Sequence, residues 1–214
     1  LTAFAAAIFD LDGLLLDTER LAIAAAYEAL DYVGYPRAEG LFERLAGKDD
    51  ATSARAVAAH FGPDFPVHAF GEKWNGLFGA RLDDGIPLRP GARELLDRLE
   101  GVGIPRAVAT SSRKHSAERK LEVTGLARYF SAVVTFNCVE RPKPAPDPYL
   151  LAARRLGCDP VRCIAFEDSD TGAAAAMAAG MVVVQVPDQV ATDGRHATHL
   201  ADDLIAGARK AGLI

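Results

Sequence analysis

Apolar positions follow two rhythms along the chain. "AFAAAIF" (about residues 4–11), "IPRAVA", "SAVVTF", "RCIAF" and "VVVQVP" are short, nearly continuous apolar runs. Such runs, bounded by turn residues, predict strands buried on both faces. Between them lie stretches with helical spacing: one entered through Pro90 and Gly91, one near 114–123, "DPYLLAARRLG", "TGAAAAMAAG", and a last one near 201–211. From residue 14 to about 82 the pattern contains no strand. "DTERLAIAAAYEALDYVG", "RAEGLFERLAG", "DATSARAVAAHFG" and "PVHAFGEKWNGLFGARL" all read as helices, the first capped by Asp17 or Thr18 and ended by Gly34. Strands alternating with helices predict an α/β fold, a Rossmann-like parallel sheet core covered on both faces. The core takes residues 1–16 and 83–214, and residues 17–82 form an inserted α-helical domain.

Composition changes this picture little but removes several classes of function. The 214 residues are half hydrophobic and a quarter charged, with a net charge of −5. That balance offers no broad basic surface, so neither nucleic acid nor an anionic membrane is expected as a partner. No apolar run reaches the roughly 20 residues that span a bilayer. Cys138, Cys158 and Cys163 form no C-x-x-C pair and read as small apolar fillers. A cytoplasmic, monomeric protein is expected.

Candidate chemistry gathers where the strands end. In an open parallel sheet, ligands bind outside the carboxyl ends of the strands. The first strand delivers Asp10 and Asp12, the second Thr110, Ser111 and Ser112, and the strand "CIAF" delivers Glu167 and Asp168; a loop before a helix offers Lys143. Two carboxylates so close repel, and a hard divalent cation resolves the conflict. Mg²⁺ prefers oxygen ligands and binds one or two carboxylates together with substrate phosphate. Thr110 can donate a hydrogen bond to a phosphoryl oxygen and Lys143 can neutralise its charge. A carboxylate can also serve as a nucleophile that forms an aspartyl-phosphate. A second carboxyl two residues on lies on the same side of an extended chain, where it can exchange protons, a role worth about 10²–10⁴-fold.

In order and spacing, "DLDGLLLDTE", "VATSS", "RPKPAPDPYL" and "FEDSDTG" resemble the four motifs of the haloacid dehalogenase superfamily. The resemblance covers nearly the whole chain and points to the phosphatase and β-phosphoglucomutase branch, with a small helical cap inserted after the first motif. It implies Asp10 as nucleophile and Asp12 as general acid and base. Thr110, Ser111 and Lys143 would hold the phosphoryl group. Asp10, Asp168 and the backbone carbonyl of Asp12 would bind Mg²⁺, with Glu167 binding or orienting beside them. The chain departs from the usual glycine before the motif lysine, carrying Arg141-Pro142 there.

The resemblance also bears on the reaction. Asp12 argues against the dehalogenases and phosphonate-cleaving relatives, which lack that acid. β-Phosphoglucomutases carry a histidine a few residues past the first motif, where this chain has Ala22, and a cap-loop arginine where it has "GKDD". A phosphatase acting on a small phosphorylated metabolite is expected, with a mutase as the alternative and a phosphoacceptor signalling domain behind it. Gly47 and Lys48 in the cap loop, and Glu19, are the candidates for substrate selection. Trp74 is expected in the cap core, and His196 to His199 at the solvent surface.

Overall fold

In the computed structural model, which describes residues 4–45 and 50–214, the apolar runs become strands, with every residue buried in those from "AFAAAIF", "IPRAVA" and "RCIAF". β1 (Ala6–Phe9), β2 (Arg106–Ala109), β3 (Ala132–Val134), β4 (Cys163–Glu167), β5 (Val182–Gln185) and β6 (His199–Leu200) form one sheet. Their order is β3-β2-β1-β4-β5-β6 and every pairing is parallel. Ile8 on β1 lies opposite Ala107 on one side and Ala165 on the other. The strand order therefore reverses between β1 and β4, and in sheets of this kind ligands bind at such a reversal.

The chain splits into two compact units, Leu1–Asp17 with Pro87–Ile214, and Thr18–Ile86. In the first, alternate side chains of each strand point to opposite faces. Ala6, Ile8, Ala107, Ala109, Ala165 and Val183 belong to one core. That core also takes in Tyr149, Ala152 and Ala153 of α6 (Asp147–Leu156) and Ala173, Ala175 and Ala176 of α7 (Asp170–Ala178). On the other face Phe9 stacks on Phe166 at 4.9 Å between ring centroids. Three further helices complete the unit: α4 (Ala92–Gly101), α5 (Lys114–Val123) and α8 (Leu204–Lys210). α4 buries Leu95, Leu96 and Leu99, and each such side chain contributes about 1.5–3 kcal/mol by leaving water. The segments that lead out of and back into this unit run side by side, with Leu16 bridged antiparallel to Leu88 and the Arg89 amide bonded to the Leu15 carbonyl.

The second unit is helical: α1 (Thr18–Val33), α2 (Asp50–Phe61) and α3 (Val67–Asp84), with a 3₁₀ turn at Glu43–Leu45. Its core gathers Leu30, Leu41, Phe42, Val57, Phe65 and Phe70, with Trp74 packed against it. Tyr27 donates its hydroxyl hydrogen to Glu43, and Trp74 Nε1 donates to the Ala22 carbonyl at 2.8 Å.

Two expectations change. "RAEGLFERLAG" was expected to be a helix, but only the 3₁₀ turn at Glu43–Leu45 forms within its described part. Gly40 adopts φ +73°, a left-handed conformation that breaks a right-handed helix, in spite of flanking residues of high helix propensity. His196 and His199 are both half-buried rather than fully exposed, His199 in β6, where it pairs with Val184 of β5. Among the described residues, no helix is long and apolar enough to cross a membrane.

Candidate active site

The site lies at the carboxyl ends of β1 and β4, where the strand order reverses. The Asp10 amide donates to the Phe166 carbonyl, which extends the β1–β4 pairing one residue past β1. The chain then turns tightly. Gly13 takes φ +83° and its amide donates to Leu16. Only glycine suits this place, because a Cβ there would stand 2.1 Å from Asp168 Oδ2. The missing side chain thus lets the Asp168 carboxylate lie directly against the Asp12–Gly13 backbone.

β4 ends in Glu167, fully buried, and two residues later Ser169 caps α7, its Oγ accepting from the Gly172 amide at 3.1 Å. Gly172 makes room for Glu167, since a Cβ there would fall 1.9 Å from Oε1. Beyond β2, Thr110 is buried and its Oγ1 accepts from the Ser112 amide at 3.0 Å, leaving its hydroxyl hydrogen as a donor. Ser111 is exposed beside it.

Lys143, in the loop before α6, reaches the base of the site. Its Nζ lies 2.5 Å from Asp10 Oδ1 and 2.5 Å from Glu167 Oε1. Tyr149 of α6 donates its hydroxyl hydrogen to the same Glu167 oxygen at 2.5 Å, and Ser169 Oγ reaches Oε2 at 3.3 Å. Burial pushes the Asp10 carboxyl up to about 7; Lys143 opposes this, while Glu167 and Asp12 add to it. Burial works against the Lys143 ammonium, but Asp10 and Glu167 outweigh it and raise its pKa above the ordinary lysine value. Burial and Glu167 likewise raise the Tyr149 phenol well above its usual range, so Tyr149 acts as a neutral hydrogen-bond donor.

A second lysine serves the second aspartate. Lys120 of α5 places Nζ 2.7 Å from Asp12 Oδ1 and 3.0 Å from Ser112 Oγ, and Ser112 donates to Asp12 Oδ2 at 2.7 Å. The two acids of the first motif are therefore each matched by a buried lysine from a different part of the chain.

Carboxylate oxygens of Asp10, Glu167 and Asp168 lie within 4.8 Å of one another. All are hard oxygen donors, as a small divalent cation requires. Glu167 is already engaged by Lys143 and Tyr149. Asp168, by contrast, lies against the turn that carries the Asp12 carbonyl, and this donor set fits a divalent metal.

The structure thus brings together Asp10, Asp12, Thr110, Lys143, Glu167 and Asp168. Glu19 is half-buried in the first turn of α1, in the helical unit. Gly47 and Lys48 lie outside the described residues. Sequence reasoning missed Lys120, Ser112 and Tyr149 as partners of the acids. Their signal was faint but present: Lys120 interrupts the apolar stripe of Ala117 and Leu121, and Tyr149 shares its helical face with Ala152 and Ala153.

The family model for haloacid dehalogenase-like hydrolases matches residues 7–186. The chain is 38% identical to the fructose-1-phosphate phosphatase YqaB of Escherichia coli, over 86% of this chain and 96% of that protein. It is 31% identical to the phosphorylated carbohydrates phosphatase of Thermotoga maritima, over 82% of each. Among solved structures, a haloacid dehalogenase family hydrolase from Deinococcus radiodurans with bound phosphate and sodium aligns over all of this chain and 99% of its own, with a TM-score of 0.85 and 28% identity. A match of this breadth, on a chain whose strand ends carry the four motifs, makes it a member of the haloacid dehalogenase-like hydrolase family, a phosphoric monoester hydrolase of the phosphatase branch.

Proposed function

We propose that this chain hydrolyses a small phosphomonoester, a phosphorylated sugar or a close relative, with Mg²⁺ as cofactor and an aspartyl-phosphate on Asp10 as intermediate. The observation that carries the reading is the pairing of Asp10 with buried Lys143 at the strand reversal, with Asp12 two residues on. The names of the Escherichia coli and Thermotoga maritima relatives support the substrate class.

Asp10 attacks phosphorus while the bond to the leaving oxygen breaks. Asp12 gives its proton to that oxygen, and the product alcohol leaves. A water then attacks the phosphoryl group, Asp12 takes its proton, and Asp10 is released with inorganic phosphate. Lys143 and the Thr110 hydroxyl neutralise and orient the phosphoryl oxygens. Ser111, exposed at the same strand end, adds a backbone or hydroxyl contact. Asp10, Asp168 and the Asp12 carbonyl would hold Mg²⁺, which would supply positive charge to offset that of the carboxylates and the phosphoryl group, with Glu167 orienting Lys143. Glu19, Gly47 and Lys48 are the candidates for selecting the leaving group.

Hydrolysis is favoured over phosphosugar isomerisation, since Ala22 stands where a mutase carries a histidine. In this chain that residue's carbonyl serves as the acceptor for Trp74. Purified protein should release phosphate from a panel of phosphorylated sugars when Mg²⁺ is added. Conversion of β-glucose 1-phosphate to the 6-phosphate with a bisphosphate activator, without net phosphate release, would falsify the hydrolytic reading.

A further inference from the structure

We propose that Lys120 is a positioning residue that fixes the Asp12 carboxylate for proton transfer; this rests on the reading of Asp12 as the proton shuttle. Lys120 is only 5% exposed and stands on the inner stripe of α5 between Ala117 and Leu121. A lysine in such a place has to be paired, because burying an unpaired ammonium is prohibitively unfavourable. For packing alone, leucine or methionine would fill the position without that demand. The ammonium is spent on two atoms, Asp12 Oδ1 at 2.7 Å and Ser112 Oγ at 3.0 Å.

The three groups close a ring. By occupying a lone pair of Ser112 Oγ, Lys120 directs the serine hydrogen toward Asp12 Oδ2, 2.7 Å away. Both carboxylate oxygens of Asp12 are thus gripped from the β2–α5 side, which sets the rotation of the side chain and the plane of the carboxylate. Asp10 is held by Lys143 from another loop. Neither acid can swing toward or away from the other without breaking a buried ion pair. A proton donor works only within hydrogen-bond reach of the oxygen it serves, and a misplacement of about 1 Å costs on the order of 10²-fold.

The test reads kcat/KM, which covers the steps up to loss of the leaving group, for two esters. One is a sugar phosphate or other alkyl phosphate, whose alkoxide needs a proton. The other is para-nitrophenyl phosphate, whose phenolate does not. Lys120→Met should lower kcat/KM for the alkyl ester about 10²-fold and for the aryl ester by less than about tenfold. Lys120→Arg should recover most of the loss, and Ser112→Ala should show the same preference in weaker form. A purely structural lysine would slow both esters equally, and that outcome overturns the proposal. Asp12→Asn serves as the reference. If it spares the aryl ester while Lys120→Met does not, the Lys120 assignment alone fails. If it slows both esters alike, the proton-shuttle reading fails with it. Should Lys120→Met not fold by circular dichroism, Lys120→Gln and Ser112→Ala decide by the same comparison.

Discussion

The two compact units are built from different materials. The sheet unit is filled with small side chains; alanines from three strands and two helices make up much of one face. The helical unit is filled with rings: Phe42 lies 6.0 Å from Phe70 and 5.6 Å from Trp74, and Phe61 stacks on Phe65 at 4.9 Å. Buried charge is divided as unevenly. Asp10, Lys120 and Glu167 at the candidate site, and Arg106 of β2 away from it, are buried in the sheet unit, whereas the buried polar residues of the helical unit, among those described, are Thr18 and Ser53. Small side chains let strands and helices approach closely, and Gly13 and Gly172 each make room for a carboxylate. Aromatic packing asks only for volume. The lesson is that the sheet unit is constrained by chemistry residue by residue, while the helical unit is constrained by filling.

Substitutions should therefore separate the two. Asp10→Asn should cut phosphate release by at least about 10⁴-fold and leave the circular dichroism spectrum intact; appreciable turnover would remove Asp10 from the nucleophile role. Lys143→Met leaves Asp10 and Glu167 facing each other without their shared cation. It should lose about 10²–10³-fold in kcat, together with about 3–5 kcal/mol of stability, measured by denaturant unfolding. In the helical unit Phe42→Ala should cost a similar amount of stability, about 3–5 kcal/mol. A fall in kcat as deep as that of Lys143→Met would break the division.

A smaller effect appears with pH. Without a metal, burial pushes the Asp10 carboxyl up to about 7 from its ordinary 3.8. Its contribution to stability is complete below pH 3.8 and is lost as the pH rises through about 7, where the buried carboxylate becomes charged. Asp10→Asn should accordingly melt higher than the parent at pH 8, with the gap closing toward pH 4. A gap of constant size would contradict the burial effect. Smallest of all, Trp74→Phe keeps the ring packing but loses the bond to the Ala22 carbonyl, and should cost about 1 kcal/mol.

Much of the sheet unit was legible because its information is local. Short apolar runs, a turn after each, and acids or hydroxyls at their ends suffice to place Asp10, Asp12, Thr110, Glu167 and Asp168 on one edge. The lysines were less legible. Lys143 could be read through its loop and motif, but a lysine within a helix such as Lys120 ordinarily faces solvent, and only the fold reveals that its stripe is the inner one. Tyr149 was hidden in the same way, its hydroxyl being committed to an acid on β4, remote in sequence. The misread helix before residue 45 shows the reverse failure, in which favourable propensities were overruled by one glycine at positive φ. β6 is two residues long and exists only through its pairing with β5, so it left no periodic trace.

The interior place of β1 also has a consequence for the chain as it is made. Ile8 needs Ala107 on one flank and Ala165 on the other. At about 5–20 residues per second, the second partner leaves the ribosome on the order of ten seconds after the first strand. During that interval β1 has an apolar edge with nothing beside it, the kind of unpaired edge that can template pairing with another chain. The helical insert, synthesised in the same interval, can complete a core of its own from nearby residues. In chain order, β1 thus precedes both of its sheet partners, with the residues of the helical unit lying between β1 and β2.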